Sequence, residues 1–291
     1  MSRVVVPLDE SELAEEALPW AALFARVKGA TVHLVSVWTY DEAIWTRAGL
    51  SADAELPEIR TALQGYLDRA AANPVLSGLA VTTEVRVGDV SDQLLDVARE
   101  GDTELVVITS HGRGGFKRFV QGSIASELAQ GSPVPLLVDR SGGIPAGLTR
   151  ILVTLDGSET AEISLAAARD LARAAGAEVH VLRVYNPYSE FAVTPMGPAG
   201  DIGDLAGKLY ESAEIYMKGI ALDGEVWEIR SGRPLDVILE YAVEKNCEVI
   251  TMATHGRGGV IRLALGSTSD AVMRAADRPV LLIPATPPDG A

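Results

Sequence analysis

One glycine-rich phrase occurs twice in this chain, and its return constrains the architecture more than any other feature. His111-Gly112-Arg113-Gly114-Gly115, followed by Arg118 and Gly122-Ser123, comes back as His255-Gly256-Arg257-Gly258-Gly259, followed by Arg262 and Gly266-Ser267. Eight of the fourteen positions from Ser110 to Ser123 are identical 144 residues later, which argues against a merely flexible exposed loop. Each copy follows a β-branched run and precedes a helical pattern. A parallel α/β sheet places an anion-binding turn there.

The repetition runs well beyond the loop. Val4-Val5-Val6-Pro7-Leu8-Asp9-Glu10-Ser11 answers to Ile151-Leu152-Val153-Thr154-Leu155-Asp156-Gly157-Ser158, at an offset of 147. A period of this length is a duplicated domain and not a solenoid. The 291 residues accommodate two domains of ordinary size, about 100–200 residues each. We expect a first domain over 1–140, a linker over 141–149, a second domain over 150–285 and a disordered tail over 286–291.

Composition removes several function classes. A net charge of −15 argues against nonspecific binding to nucleic acid or to an anionic membrane. No apolar run reaches the ~18 residues that a membrane span needs. The N-terminal residues lead straight into a strand pattern without the layout of a signal peptide. The single cysteine, Cys247, excludes an internal disulfide and suits a reducing compartment, so a cytoplasmic location is expected.

Continuous Val/Ile/Leu runs at 3–8, 31–37, 80–87, 104–109 and 134–138 read as strands covered on both faces, with a second set at 150–155, 178–184, 225–230, 248–253 and 280–283. Helical patterns fill the gaps. Ser11 is expected to cap a helix over 12–27, Ser91 to cap another, and Ser123 to open the last of the first domain. The alternation predicts an α/β fold: two tandem Rossmann-like domains, each a five-stranded parallel sheet flanked by helices. The final strands, 134–138 and 279–283, are expected at sheet edges. An apolar edge needs cover, so the two halves are expected to pair through these strands.

The loop's chemistry follows from its residues. Gly112, Gly114, Gly115 and Gly122, with Gly256, Gly258, Gly259 and Gly266 in the second copy, let backbone N–H groups approach an anion closely. Ser123 and Ser267 can donate a hydroxyl, and Arg113 and Arg257 can neutralise phosphate. Neither copy ends in the Gly-Lys-Ser/Thr of a P-loop. Asp9 and Asp156 close the first strand of each half, where a carboxylate can accept from a ribose hydroxyl or a base amino group, or can serve the following helix through Ser11 and Ser158. No arrangement of the four histidines and one cysteine forms a catalytic or metal-ligand set, so an enzyme is not expected.

Strand, Asp-x-Ser, helix, then Gly-x2-Gly-x9-Gly-Ser before a last helix and strand resembles the universal stress protein family, over about 2–140 and 150–285. The resemblance implies an adenine nucleotide, ATP, with Mg2+ held by its phosphates and by Asp9 or Asp156. It implies that Asp9 and Asp156 lie near the adenosine and that Val37 and Val184 meet adenine through their backbones. It also implies dimerisation through the last strand. The first glycine of the family pattern is Thr109 here and Ala253 in the second copy. Three readings stand side by side: an ATP-binding stress sensor acting on a protein partner, a nucleotide-free scaffold that works by dimerisation, and a slow ATP hydrolase.

Overall fold

The computed structural model describes residues 2–39, 52–110, 123–187, 202–254 and 265–285. The chain divides between Ala146 and Gly147 into two compact units. The expected tail over 286–291 lies outside the described residues.

In the first unit β1 (Arg3–Pro7) lies parallel to β2 (Thr31–Trp38) on one side and to β4 (Thr103–Thr109) on the other. β3 (Val81–Val87) extends the sheet beyond β2, and β5 (Leu136–Asp139) extends it beyond β4, giving the order β3-β2-β1-β4-β5. α1 (Glu12–Glu15), α2 (Leu18–Lys28) and α3 (Ala52–Ala71) serve the steps from β1 out to β3. α4 (Val90–Arg99) and α5 (Ser123–Gly131) serve the steps from β3 back through β4 to β5. The step direction reverses between β1 and β4, and such connections keep one hand. The two helix groups therefore cover opposite faces, and a crevice opens outside the carboxyl ends of β1 and β4.

The second unit repeats the plan. β6 (Arg150–Leu155) is central, with β7 (Glu178–Tyr185) and β8 (Val226–Ser231) on one side and β9 (Val249–Ala253) and β10 (Val280–Ile283) on the other. α6 (Glu159–Ala175), α7 (Ile202–Ile220), α8 (Pro234–Glu244) and α9 (Ser267–Ala275) connect them. The central strands are buried without alternation: Val4, Val5 and Val6 in β1, Ile151, Leu152 and Val153 in β6. Each such side chain contributes about 1.5–3 kcal/mol through removal from water.

The β3 and β8 edges are guarded by charge. In β3, Arg86 pairs with Glu84 at 2.9 Å and also with Glu100. In β8, Arg230 pairs with Glu228 at 2.7 Å and with Glu244 at 2.8 Å, and stacks over the Tyr241 ring. Charged side chains there discourage pairing with another chain.

The structure corrects three local expectations. The helix expected over 12–27 is two, α1 and α2, because Pro19 has no N–H and its ring crowds the carbonyl four residues back. The second unit has Ala166 at the matching place, and α6 runs unbroken for 17 residues. The cap of α4 is Asp89 and not Ser91. Asp89 Oδ1 accepts from the Ser91 and Asp92 N–H groups at 2.9 and 3.1 Å, and the Ser91 hydroxyl donates to Glu127. β5 begins after Pro135, which cannot donate to a ladder.

Candidate functional site

Each unit carries the same hook at the end of its central strand. Asp9 Oδ1 accepts from the Ser11 N–H at 3.2 Å and from its hydroxyl at 2.5 Å, and Ser11 Oγ accepts from the Ala14 N–H at 3.1 Å, capping α1. Asp156 Oδ1 accepts from the Ser158 N–H and hydroxyl at 2.9 and 2.5 Å, and Ser158 Oγ accepts from the Ala161 N–H at 3.2 Å, capping α6. The carboxylates thus serve the helix start, the humbler of the two roles expected of them. Through one oxygen each, they are also held in a fixed orientation at the crevice. The turn between Asp and Ser needs a left-handed residue. Gly157 meets this at φ 81°, whereas Glu10 takes φ 66° against its side-chain preference.

A tyrosine faces each hook from the neighbouring helix. Burial first, and then the Glu15 carboxylate, hold the Tyr66 phenol proton well above its usual range, and Asp9 adds to the effect. In the second unit the Tyr216 hydroxyl donates to Glu162 at 3.1 Å. Burial and then Glu162 raise its pKa, with Arg183 opposing and Asp156 adding. Asp156, Glu162, Arg183 and Tyr216 therefore share one electrostatic neighbourhood.

The far wall is the end of the fourth strand. Thr109, where the family pattern has glycine, turns its hydroxyl onto the Leu13 carbonyl of α1 at 2.6 Å. Just beyond it, the Ser110 N–H donates to the Asp139 carbonyl at 2.9 Å, and Arg140 Nη1 donates to Ser110 Oγ at 3.1 Å. This places a cation where the glycine-rich phrase begins. The matching residue of the second unit is Pro284. In that unit Ala253 is buried and its carbonyl accepts from Ser269 Oγ at 2.8 Å. The Gly266 N–H donates to the Thr254 carbonyl at 2.8 Å, drawing together the two ends of the loop between them. Gly266 opens α9 without a side-chain cap, and Ser267 is its first residue.

Gly112, Arg113, Gly114, Gly115, Gly122, Gly256, Arg257, Gly258 and Gly259 lie outside the described residues. Ser123 opens α5 as expected. Among the described residues no group of three His, Cys, Asp or Glu side chains could hold a metal ion. His33 and His180 are satisfied inside the fold. His33 meets Thr82 and Glu84 at 2.8 and 3.1 Å, and His180 meets Tyr241 and Glu178 at 3.2 and 3.0 Å.

Val37 and Val184 stand where the second strand passes the end of the first. Carbonyls alternate sides along a strand. The Leu8 N–H bonds the Val35 carbonyl, and the Gly88 N–H bonds the Trp38 carbonyl on the opposite side. The Val37 carbonyl therefore lies on the β1 side, one repeat beyond the last β1 bond. In the second unit the same logic, with Gly232 N–H on the Tyr185 carbonyl, puts the Val184 carbonyl on the β6 side. Here the units part. Arg183 Nη1 donates to both the Leu155 carbonyl, at 3.1 Å, and the Val184 carbonyl, at 3.2 Å. Arg183 is 9% exposed, and its counterpart in β2 is Ser36.

Sequence reasoning missed Arg140 and Arg183. The signal for Arg183 was present, since aligning the second strands of the two halves sets an arginine against a serine.

A doubly wound parallel sheet with its polar hooks at the switch point defines the class: a duplicated, Rossmann-like α/β domain. The family model of the universal stress protein family matches residues 1–140 and again 147–284, and the chain belongs to that family. A universal stress protein of Mycolicibacterium smegmatis is 25% identical over 289 residues, covering 96% of each chain. Universal stress protein Rv2005c of Mycobacterium tuberculosis is 25% identical over 297 residues, again covering 96% of each. The crystal structure of a universal stress protein from Archaeoglobus fulgidus superposes with a TM-score of 0.73 at 22% identity, covering 98% of each chain, a likeness of fold.

Proposed function

We propose that this chain is an ATP-binding regulator of the stress response, whose nucleotide occupancy alters its shape or its hold on a protein partner. The observation that carries the reading is the hook. A carboxylate is held in place by the following serine at the end of the central strand, opposite a strand end from which a glycine-rich phrase departs. Asp9 would meet the adenosine, the Val37 carbonyl would accept from the base amino group, and Arg140 would add charge near the phosphates. Mg2+ would ride on the phosphates beside the Asp9 carboxylate. A slow ATP hydrolase has less support, because the four histidines and one cysteine form no catalytic set in the sequence.

The reading extends to assembly and place. The last strand of each unit is mainly apolar, Leu136-Leu137-Val138-Asp139 and Val280-Leu281-Leu282-Ile283, in contrast to the ion pairs on β3 and β8. This supports pairing of the halves through those strands and a homodimer of the full chain. No described helix is long and apolar enough to cross a membrane, and a cytoplasmic location is part of the proposal. The scaffold reading draws support from Thr109 and Ala253, which replace the family's first loop glycine.

The test is calorimetric titration of the full chain, first freed of nucleotide, with ATP and with GTP. ATP is expected to bind, and more tightly than GTP. A flat ATP titration would leave the scaffold reading in its place.

A further inference from the structure

The two crevices are built on one plan, yet they present different groups at the position next to the strand ends. In the first unit that notch lies between the end of β1 and the passing β2. Its acceptor is the Val37 carbonyl, and the flanking side chain is Ser36, buried at 2% exposure. Val37 itself is half-buried. In the second unit a guanidinium stands in the notch, 3.1 Å from the Leu155 carbonyl and 3.2 Å from that of Val184, and Val184 is buried.

A carbonyl has two lone pairs, so a count of hydrogen bonds alone would not close the notch. Shape and polarity do. The guanidinium is planar, permanently charged and carries only donors. Adenine presents its amino group, also a donor, to an acceptor. An adenine entering beside Val184 would meet N–H against N–H, in space that Arg183 already fills. Displacing Arg183 would strip a nearly buried cation of two carbonyl partners, a heavy penalty in a medium of low dielectric.

We infer that Arg183 is a built-in occupant of the second unit's base position, so that the chain takes adenine nucleotide in its first crevice and not in its second. This rests on the ATP-binding reading above. It deepens that reading by making residue 183, with its counterpart 36, the determinant of which half binds.

The first experiment needs no variant. The full chain is photolabelled with 8-azido-ATP, and the labelled peptides are mapped. Label is expected within residues 1–146 and is expected to be lost when unmodified ATP is added. Competed label within 147–285 overturns the inference while leaving the ATP reading intact. The second experiment is titration of the nucleotide-free chain, with folding checked by circular dichroism. The unaltered chain is expected to take one ATP, Arg183→Ser two, and Ser36→Arg none. Two ATP in the unaltered chain, or one in a folded Arg183→Ser variant, overturns the inference alone. No ATP in either the unaltered chain or Arg183→Ser overturns the ATP reading and this inference with it.

Discussion

The hook at the first crevice belongs to a single turn of helix, and the hook at the second belongs to a helix of 17 residues. Asp9 is exposed and Asp156 half-buried, and a serine flanks the first base position where an arginine fills the second. Duplication thus preserved the chemistry of the turn and let its surroundings diverge. The lesson is that equal motifs do not make equal sites. The differences sit on residues outside the motif: Pro19 against Ala166, Ser36 against Arg183, and Arg140 against Pro284.

The comparison breaks most readily at the two aspartates. Asp9→Ala should weaken ATP binding by about 5- to 150-fold, the loss of a hydrogen bond to a charged group at about 1–3 kcal/mol. Asp156→Ala should leave ATP affinity within about twofold and instead lower unfolding stability by about 0.5–2 kcal/mol, through the loss of its Ser158 cap support. Titration and urea denaturation on the same two variants read both quantities. Equal affinity losses would erase the distinction drawn between the halves.

A smaller effect is expected at the fourth strand. Thr109→Ala gives the first unit the residue of the second and removes the bond to Leu13. A loss of about 0.5–1.5 kcal/mol is expected by denaturant unfolding. An unchanged midpoint would show that the threonine hydroxyl contributes nothing to holding α1.

The last comparison concerns the turn within the hook. Glu10→Gly should relieve left-handed strain and raise stability by about 0.5–1 kcal/mol, and Gly157→Ala should lower it by about 1–2 kcal/mol. Opposite signs at matching positions sharpen the claim that one backbone conformation serves both hooks. Thermal melts of the pair are enough to read it.

The parallel strands and the duplication were legible because buried parallel strands write themselves as unbroken apolar runs, and both halves wrote them alike. The hook residues were legible because Asp-x-Ser before a helical pattern is a local signal, whose bonds span no more than three residues. Other features needed tertiary information. Asp89 took the cap from Ser91 because Ser91 faces Glu127, 36 residues away in sequence. Arg183 reads as one polar residue in a strand until the fold bends its side chain back onto Leu155, 28 residues earlier. Arg140 is the last residue of the expected first domain, just ahead of the linker, and only the pairing of β4 with β5 brings it to Ser110. The break at Pro19 needed no tertiary information, since a proline inside a helical pattern is itself a stop signal.

The break after α1 has a mechanical consequence. α1 buries none of its four residues, whereas α6 buries Ala161, Ser164, Leu165, Ala168, Leu171 and Ala172. Shifting the Asp156 hook therefore means dragging a long helix across its own core contacts. Shifting the Asp9 hook displaces one surface turn, tethered at its far side by the Thr109 bond. The Asp9 hook therefore has fewer packing contacts to give up in moving than the Asp156 hook has.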